Sequence, residues 1–177
     1  MGISGNTIIY TTMIKAYSKT YQLEKAMDIY EVMRHGPSTM QPNIITYNSL
    51  IDCCVRCGDM NAATMIFTHM KSNTDDSKET KEIIRPDFNN NSKVPDLITY
   101  STLIKGHCKA RNIEQALILH EQMLQLGIKA DEVLYNSLLD GCLKADETDM
   151  ALKCFTNMKK LKIKPSNVTY SILAKIY

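Results

Sequence analysis

The chain contains no tryptophan, and only 7 glycines and 5 prolines are spread over its 177 residues. With glycine so sparse there is no phosphate-cradling glycine loop and no Gly-x-Ser-x-Gly nucleophile turn. No apolar run approaches the roughly 18 residues needed to span a bilayer. The net charge is only +2, so binding to a polyanion would need clustered cations rather than bulk charge. The start, Met1-Gly2-Ile3-Ser4-Gly5-Asn6, shows neither a secretory pattern nor an Arg-rich leader, and Asn6 stands where a myristoylated chain carries Ser or Thr. The six cysteines, Cys53, Cys54, Cys57, Cys108, Cys142 and Cys154, fall at helical positions rather than in a staple pattern. A chain of this length can bury a core without disulfides, so free thiols in a reducing compartment are expected.

What the chain does have is one phrase, used five times: Ile8-Ile9-Tyr10-Thr11-Thr12-Met13-Ile14, Ile45-Thr46-Tyr47-Asn48-Ser49-Leu50-Ile51, Ile98-Thr99-Tyr100-Ser101-Thr102-Leu103-Ile104, Val133-Leu134-Tyr135-Asn136-Ser137-Leu138-Leu139 and Val168-Thr169-Tyr170-Ser171-Ile172-Leu173-Ala174. Successive tyrosines are 37, 53, 35 and 35 residues apart. A fixed period of this size indicates a solenoid, in which each unit stacks on its neighbours. The repeats read as 7–43, 44–96, 97–131 and 132–166, with a partial unit at 167–177. A chain that enters a repeat at once and stops inside one reads as a piece of a longer array.

Each repeat reads as two helices. In 97–131, Asp96 caps a first helix whose apolar residues Tyr100, Leu103, Ile104 and Cys108 keep 3–4 spacing. Asn112, with Gln115 three residues on, caps a second helix, and Gly127 supplies its left-handed stop. The other units keep this register. An alanine lies 16 residues after the tyrosine (Ala26, Ala63, Ala116, Ala151) and a methionine at 23 (Met33, Met70, Met123, Met158). Three before the methionine stands an aromatic or histidine: Tyr30, Phe67, His120, Phe155. These are expected core positions, the alanine letting the paired helix approach closely. The second unit exceeds 35 residues by 18, an excess placed at about 72–93. That polar stretch predicts a surface loop, with room for a short helix over 77–84.

Metal and catalytic patterns fail. Cys54-Val55-Arg56-Cys57 is a lone CxxC, and His69 has no partner at zinc spacing. His120-Glu121-Gln122-Met123-Leu124 lacks the second histidine of a zincin, and no His-x-Glu joined to Pro-Cys-x-x-Cys of a zinc deaminase occurs. No metal, cofactor or catalysis is expected from this chain.

A 35-residue helix pair with this tyrosine phrase, a basic residue late in the first helix, the alanine, the methionine and a Pro-Asp type ending resembles the pentatricopeptide repeat family. The tetratricopeptide pattern differs, with a 34-residue period and a tryptophan this chain lacks. The resemblance implies an all-α, right-handed superhelical solenoid that binds single-stranded RNA, one base per repeat. It implies base recognition by the residue after each tyrosine, Thr11, Asn48, Ser101, Asn136 and Ser171, together with the last residue of each repeat, Asn43, Asp96, Asp131 and Ser166. All are short polar side chains able to meet a base edge. Asp96 and Asp131 can serve as caps and readers together.

The aliphatic residue two before each tyrosine, Ile8, Ile45, Ile98, Val133 or Val168, shares the reader's helix face, three residues away, and the resemblance implies that it sandwiches the base. Nine after each tyrosine stands a cation: Lys19, Arg56, Lys109, Lys144. At 100° per residue these lie about 80° around the helix from the reader. They suit phosphates, although a late basic residue also complements the helix dipole. The family's pairing rule then gives a preference near 5′-AUGC-3′. The implied role is organellar RNA processing, stability or translation, in a mitochondrion or plastid. The competing reading is a protein-interaction scaffold or structural subunit of an organellar ribonucleoprotein such as a mitochondrial ribosome, with protein partners or self-association and no membrane.

Overall fold

The computed structural model describes residues 6–75 and 93–175, which form two compact units divided between Pro95 and Asp96. In the first unit α1 (Thr7–Lys19) and α2 (Leu23–His35) precede a 3-10 turn (Ser38–Met40), then α3 (Ile44–Cys57) and α4 (Met60–Asp75). In the second, α5 (Leu97–Lys109), α6 (Ile113–Gln125), α7 (Glu132–Lys144), α8 (Thr148–Lys160) and α9 (Asn167–Leu173) follow. Among the described residues there is no strand, in keeping with the all-α class. Within each unit the first helices pack on one another, α1 on α3, α5 on α7 and α7 on α9, and α1, α3, α5 and α7 are each flanked by the second helix of their own repeat.

The turn from first to second helix has one construction throughout. Tyr21, Gly58, Arg111 and Asp146, each 11 residues after the repeated tyrosine, all adopt positive φ, at 57°, 80°, 58° and 61°. The backbone N–H that follows closes back onto the first helix: Gln22 to Tyr17, Asp59 to Cys54, Asn112 to His107 and Glu147 to Cys142, at 2.9–3.0 Å. That bond satisfies a carbonyl the helix end would leave bare. Only Gly58 is free of the left-handed penalty, so three of these turns are held in place by the helices they join.

The repeat's conserved-looking core is buried as its spacing predicts. Ala26, Ala63, Ala116 and Ala151, and Met33, Met70, Met123 and Met158, have no exposed surface. Tyr47, Tyr100 and Tyr135 are buried as well. Their packing partners show what the aromatic position of the second helix does. Tyr30 meets Tyr47 edge-on at 6.0 Å, His120 meets Tyr135 at 5.1 Å and Phe155 meets Tyr170 at 6.2 Å. Each peg thus seats the next repeat's tyrosine on the preceding second helix, a geometry aromatic pairs favour. Tyr10 is half-buried, and Tyr170 is 55% exposed because no helix among the described residues covers it from the far side. The cost of this core includes, among the described residues, the buried His120 Nε2 and Tyr135 Oη without hydrogen bonds, and burial holds the His120 pKa below its ordinary value.

At Gly141 α7 lies close against α5. A Cβ there would sit 2.6 Å from Cys108 Cβ and 2.7 Å from its Sγ, so α7 seats on α5 only with hydrogen at this position. All six cysteines are free thiols; five are buried and Cys57 is exposed.

One expectation changes. The insertion was placed from about residue 72, but α4 runs on to Asp75, so its first four residues are helical. The reason is continuity: no breaker stands at 72, and the helical hydrogen-bond ladder simply extends. The short helix expected over 77–84 lies outside the described residues.

Candidate nucleic-acid interface

The polar residues that end the repeats are all helix N-caps. Asn43 Oδ1 accepts from the Thr46 N–H at 3.0 Å, Asp96 Oδ1 from Thr99 at 2.9 Å and Asp131 Oδ1 from Leu134 at 2.8 Å. Ser166 Oγ accepts from the Val168 N–H at 3.2 Å. Asn6, not singled out from the sequence, caps α1 in the same way through the Ile9 N–H at 3.1 Å. Capping fixes each side chain at the mouth of its helix and commits one acceptor position to the backbone.

The residues after the tyrosines differ more among themselves. Asn48, Ser101 and Asn136 are half-buried and Ser171 is exposed. Thr11 is only 5% exposed, because its hydroxyl lies 2.7 Å from that of Thr46 in the next repeat. In the second unit Thr169 donates to Asn136 Oδ1 at 2.7 Å, while Asn136 Nδ2 donates to Glu132 at 3.1 Å. Thr46 and Thr169 were missed from the sequence as site residues. Their one visible signal was recurrence at the third position of a first helix, where a capping box uses a hydroxyl. Asn48 belongs to the first unit, and Asp96, the cap of α5, to the second.

The aliphatic positions are the least expected part of the surface. Ile8 is 74% exposed, Ile98 61%, Val133 71% and Val168 58%. A branched apolar side chain held in water on a helix, one turn before a polar reader, gains nothing from folding. It nevertheless recurs at this position in four of the first helices. Ile45 departs from the set and is half-buried.

The late cations are all exposed, yet they are not equivalent. Arg56 Nε lies 2.6 Å from Asp52, which also accepts from the Ser18 hydroxyl at 3.0 Å. The Asp52 hydrogen bond and charge raise the Arg56 pKa. Lys144 pairs with Asp140 at 2.6 Å. The acids stand four residues before their cations; in α1 and α5 those positions hold Lys15 and Lys105, beside Lys19 and Lys109. The acid partners were legible as i,i+4 pairs but were not singled out.

The CxxC cysteines diverge in setting: burial pushes the Cys54 thiol up to about 12, whereas Cys57 faces solvent. Among the described residues no three His, Cys, Asp or Glu side chains gather at metal-binding distance, and no helix is long and apolar enough to cross a membrane.

Comparison with known sequences decides the family. Models of the PPR repeat family match residues 42–74 and 130–177, and models of the PPR repeat match 92–124 and 8–35. The chain belongs to the pentatricopeptide repeat family. It is 30% identical over 145 residues to a chloroplastic pentatricopeptide repeat-containing protein of Arabidopsis thaliana, covering 72% of this chain and 18% of that one. A mitochondrial 15S rRNA processing factor of Yarrowia lipolytica is 34% identical over 70 residues, covering 40% of this chain and 9% of that one. The pentatricopeptide repeat protein PPR10 from maize matches with a TM-score of 0.80 at 24% identity, over 98% of this chain and 22% of that one. The likeness to PPR10 is one of fold, the helical-repeat solenoid. The chain spans about a fifth to a third of the length of the curated relatives it matches over most of its own.

Proposed function

We propose that this chain is a single-stranded RNA-binding module in which each repeat addresses one base. The observation that carries the reading is the pairing, within one helix turn, of an exposed aliphatic side chain with a positioned polar one, as at Ile98 with Ser101 and Val133 with Asn136. Such a pair offers a base both an apolar face and a hydrogen-bonding edge, which is how single-stranded RNA is read. The family adds support, since PPR10 has been solved in complex with an 18-nt psaJ RNA element.

In this reading Thr11 with Asn43, Asn48 with Asp96, Ser101 with Asp131 and Asn136 with Ser166 address A, U, G and C in 5′ to 3′ order. Ile8, Ile45, Ile98, Val133 and Val168 grip the bases. Lys19, Arg56, Lys109 and Lys144 approach the phosphates. Ser171 begins a fifth position. The repeats run as 7–43, 44–96, 97–131, 132–166 and the partial unit 167–177. The chain acts as a binding element without catalytic residues of its own, serving RNA processing in a mitochondrion or plastid.

Stacked bases contribute about 1–3 kcal/mol each, so selectivity rests on the base edges. Asn48→Ser is expected to move the preference at the second base from U toward G. The check is binding of the chain to a series of oligonucleotides substituted at that base. An unchanged profile sinks the register.

A further inference from the structure

The two residues of a reading pair are joined by a third side chain that the family reading does not use. In the first unit Thr46 Oγ1 donates to Asn43 Oδ1 at 3.0 Å and accepts from the Asn43 N–H at 3.3 Å. The Thr11 hydroxyl lies 2.7 Å away, and either hydroxyl can donate in that contact. Thr46 has one proton to share between Asn43 and Thr11, so the contact limits what Thr11 can offer anything else. In the second unit the Thr169 hydroxyl accepts from the Ser166 N–H at 3.1 Å and gives its proton to Asn136 Oδ1 at 2.7 Å.

A carboxamide can be placed either way round, and only its neighbours decide. Here two agree. Glu132 accepts only, so it faces Nδ2, at 3.1 Å; Thr169 then meets Oδ1. With Oδ1 and one amide hydrogen engaged, Asn136 has one N–H left for a ligand. Ser166 Oγ accepts from the Val168 N–H and retains its own proton to donate. Two donors side by side match two adjacent acceptors, N3 and O2 of cytosine. In uracil a donor, the N3–H, interrupts the acceptors. At the third pair Leu134 replaces the threonine, so Ser101 and Asp131 have no such link.

We propose that the threonine at the third position of the following first helix, Thr46 for Thr11 and Thr169 for Asn136, is a positioning residue that sets which hydrogen-bonding sense the reader shows to the base. The inference rests on the base-reading proposal above. Its test measures base preference rather than affinity, using the full chain and 5′-AUGN-3′ oligonucleotides with all four bases at the last position. Thr169→Val is expected to lower the preference for cytosine about fivefold, the worth of one hydrogen bond near 1 kcal/mol. Thr169→Ser, which keeps the hydroxyl, is expected to retain it. Thr46→Val gives an independent reading at the first base, and Leu134→Thr is expected to sharpen preference at the third. Asn136→Ser is the control. If it moves the preference while Thr169→Val does not, the positioning role is overturned and base reading stands. If neither moves it, base reading itself falls, and the inference with it. A uniform loss of affinity for all four bases on Thr169→Val, with the preference intact, would assign the threonine to helix capping alone and overturn the proposal.

Discussion

The first helices fall into two kinds. In α1 and α5 the exposed end carries two lysines one turn apart, Lys15 with Lys19 and Lys105 with Lys109. In α3 and α7 the same end carries an acid and a cation already in contact, Asp52 with Arg56 and Asp140 with Lys144, both at 2.6 Å. A cation recurring at one sequence interval is thus two different objects. In the proposed RNA-binding reading, a phosphate reaching the first kind of helix would find a second positive charge behind the cation. In the other, it would have to share or displace a carboxylate. Exposed ion pairs of this sort contribute at most about 1 kcal/mol, so the difference concerns the ligand far more than the fold.

The seating of α7 on α5 can be broken at Gly141. Gly141→Ala is expected to cost about 1–3 kcal/mol through overpacking against Cys108, since α7 has to move off α5. Thermal unfolding measures it, and an unchanged midpoint would show that the approach is not tight. The next largest effect is on binding. Lys19→Gln with Lys109→Gln is expected to reduce the slope of log affinity against log salt by about 1.4, at ~0.7 per phosphate on a single strand. Arg56→Gln with Lys144→Gln is expected to reduce it by less than half as much, and equal losses would erase the distinction between the helices. The smallest effect is chemical and confined to α3. Because burial lifts the Cys53 and Cys54 thiols to about 11 and about 12, alkylation of the native chain near pH 8 is expected to label Cys57 first, as peptide mapping would reveal. The same two thiols stay protonated in the fold above pH 9 while the unfolded chain ionises. Stability therefore falls as pH rises from 9 toward 12.

Much of this was legible in the sequence, for a definite reason. In a helix-turn-helix repeat most contacts join residues within one unit or to the next, so a period preserves them. Ala116 and Met123 are buried because every repeat presents the same spacing to the same neighbour. The caps at Asn43, Asp96, Asp131 and Ser166 are local backbone bonds. The left-handed turn was harder to read, since Tyr21, Arg111 and Asp146 occupy it as well as Gly58. There the packed helices override the residue's own preference.

The sequence by itself determined the period, the helix pairs, the caps and the positions of the candidate interface, because all of these follow from interactions within about one repeat. The tertiary structure decided how each polar side chain at that interface is engaged. It buried Thr11 against Thr46, turned Asn136 between Thr169 and Glu132, and left Ile8, Ile98, Val133 and Val168 in water while half-covering Ile45. The physical reason is that a hydroxyl or carboxamide has a fixed number of donors and acceptors. Which of them remain for a ligand depends on neighbours that arrive 33 or 35 residues later, as for Asn136 and Thr11.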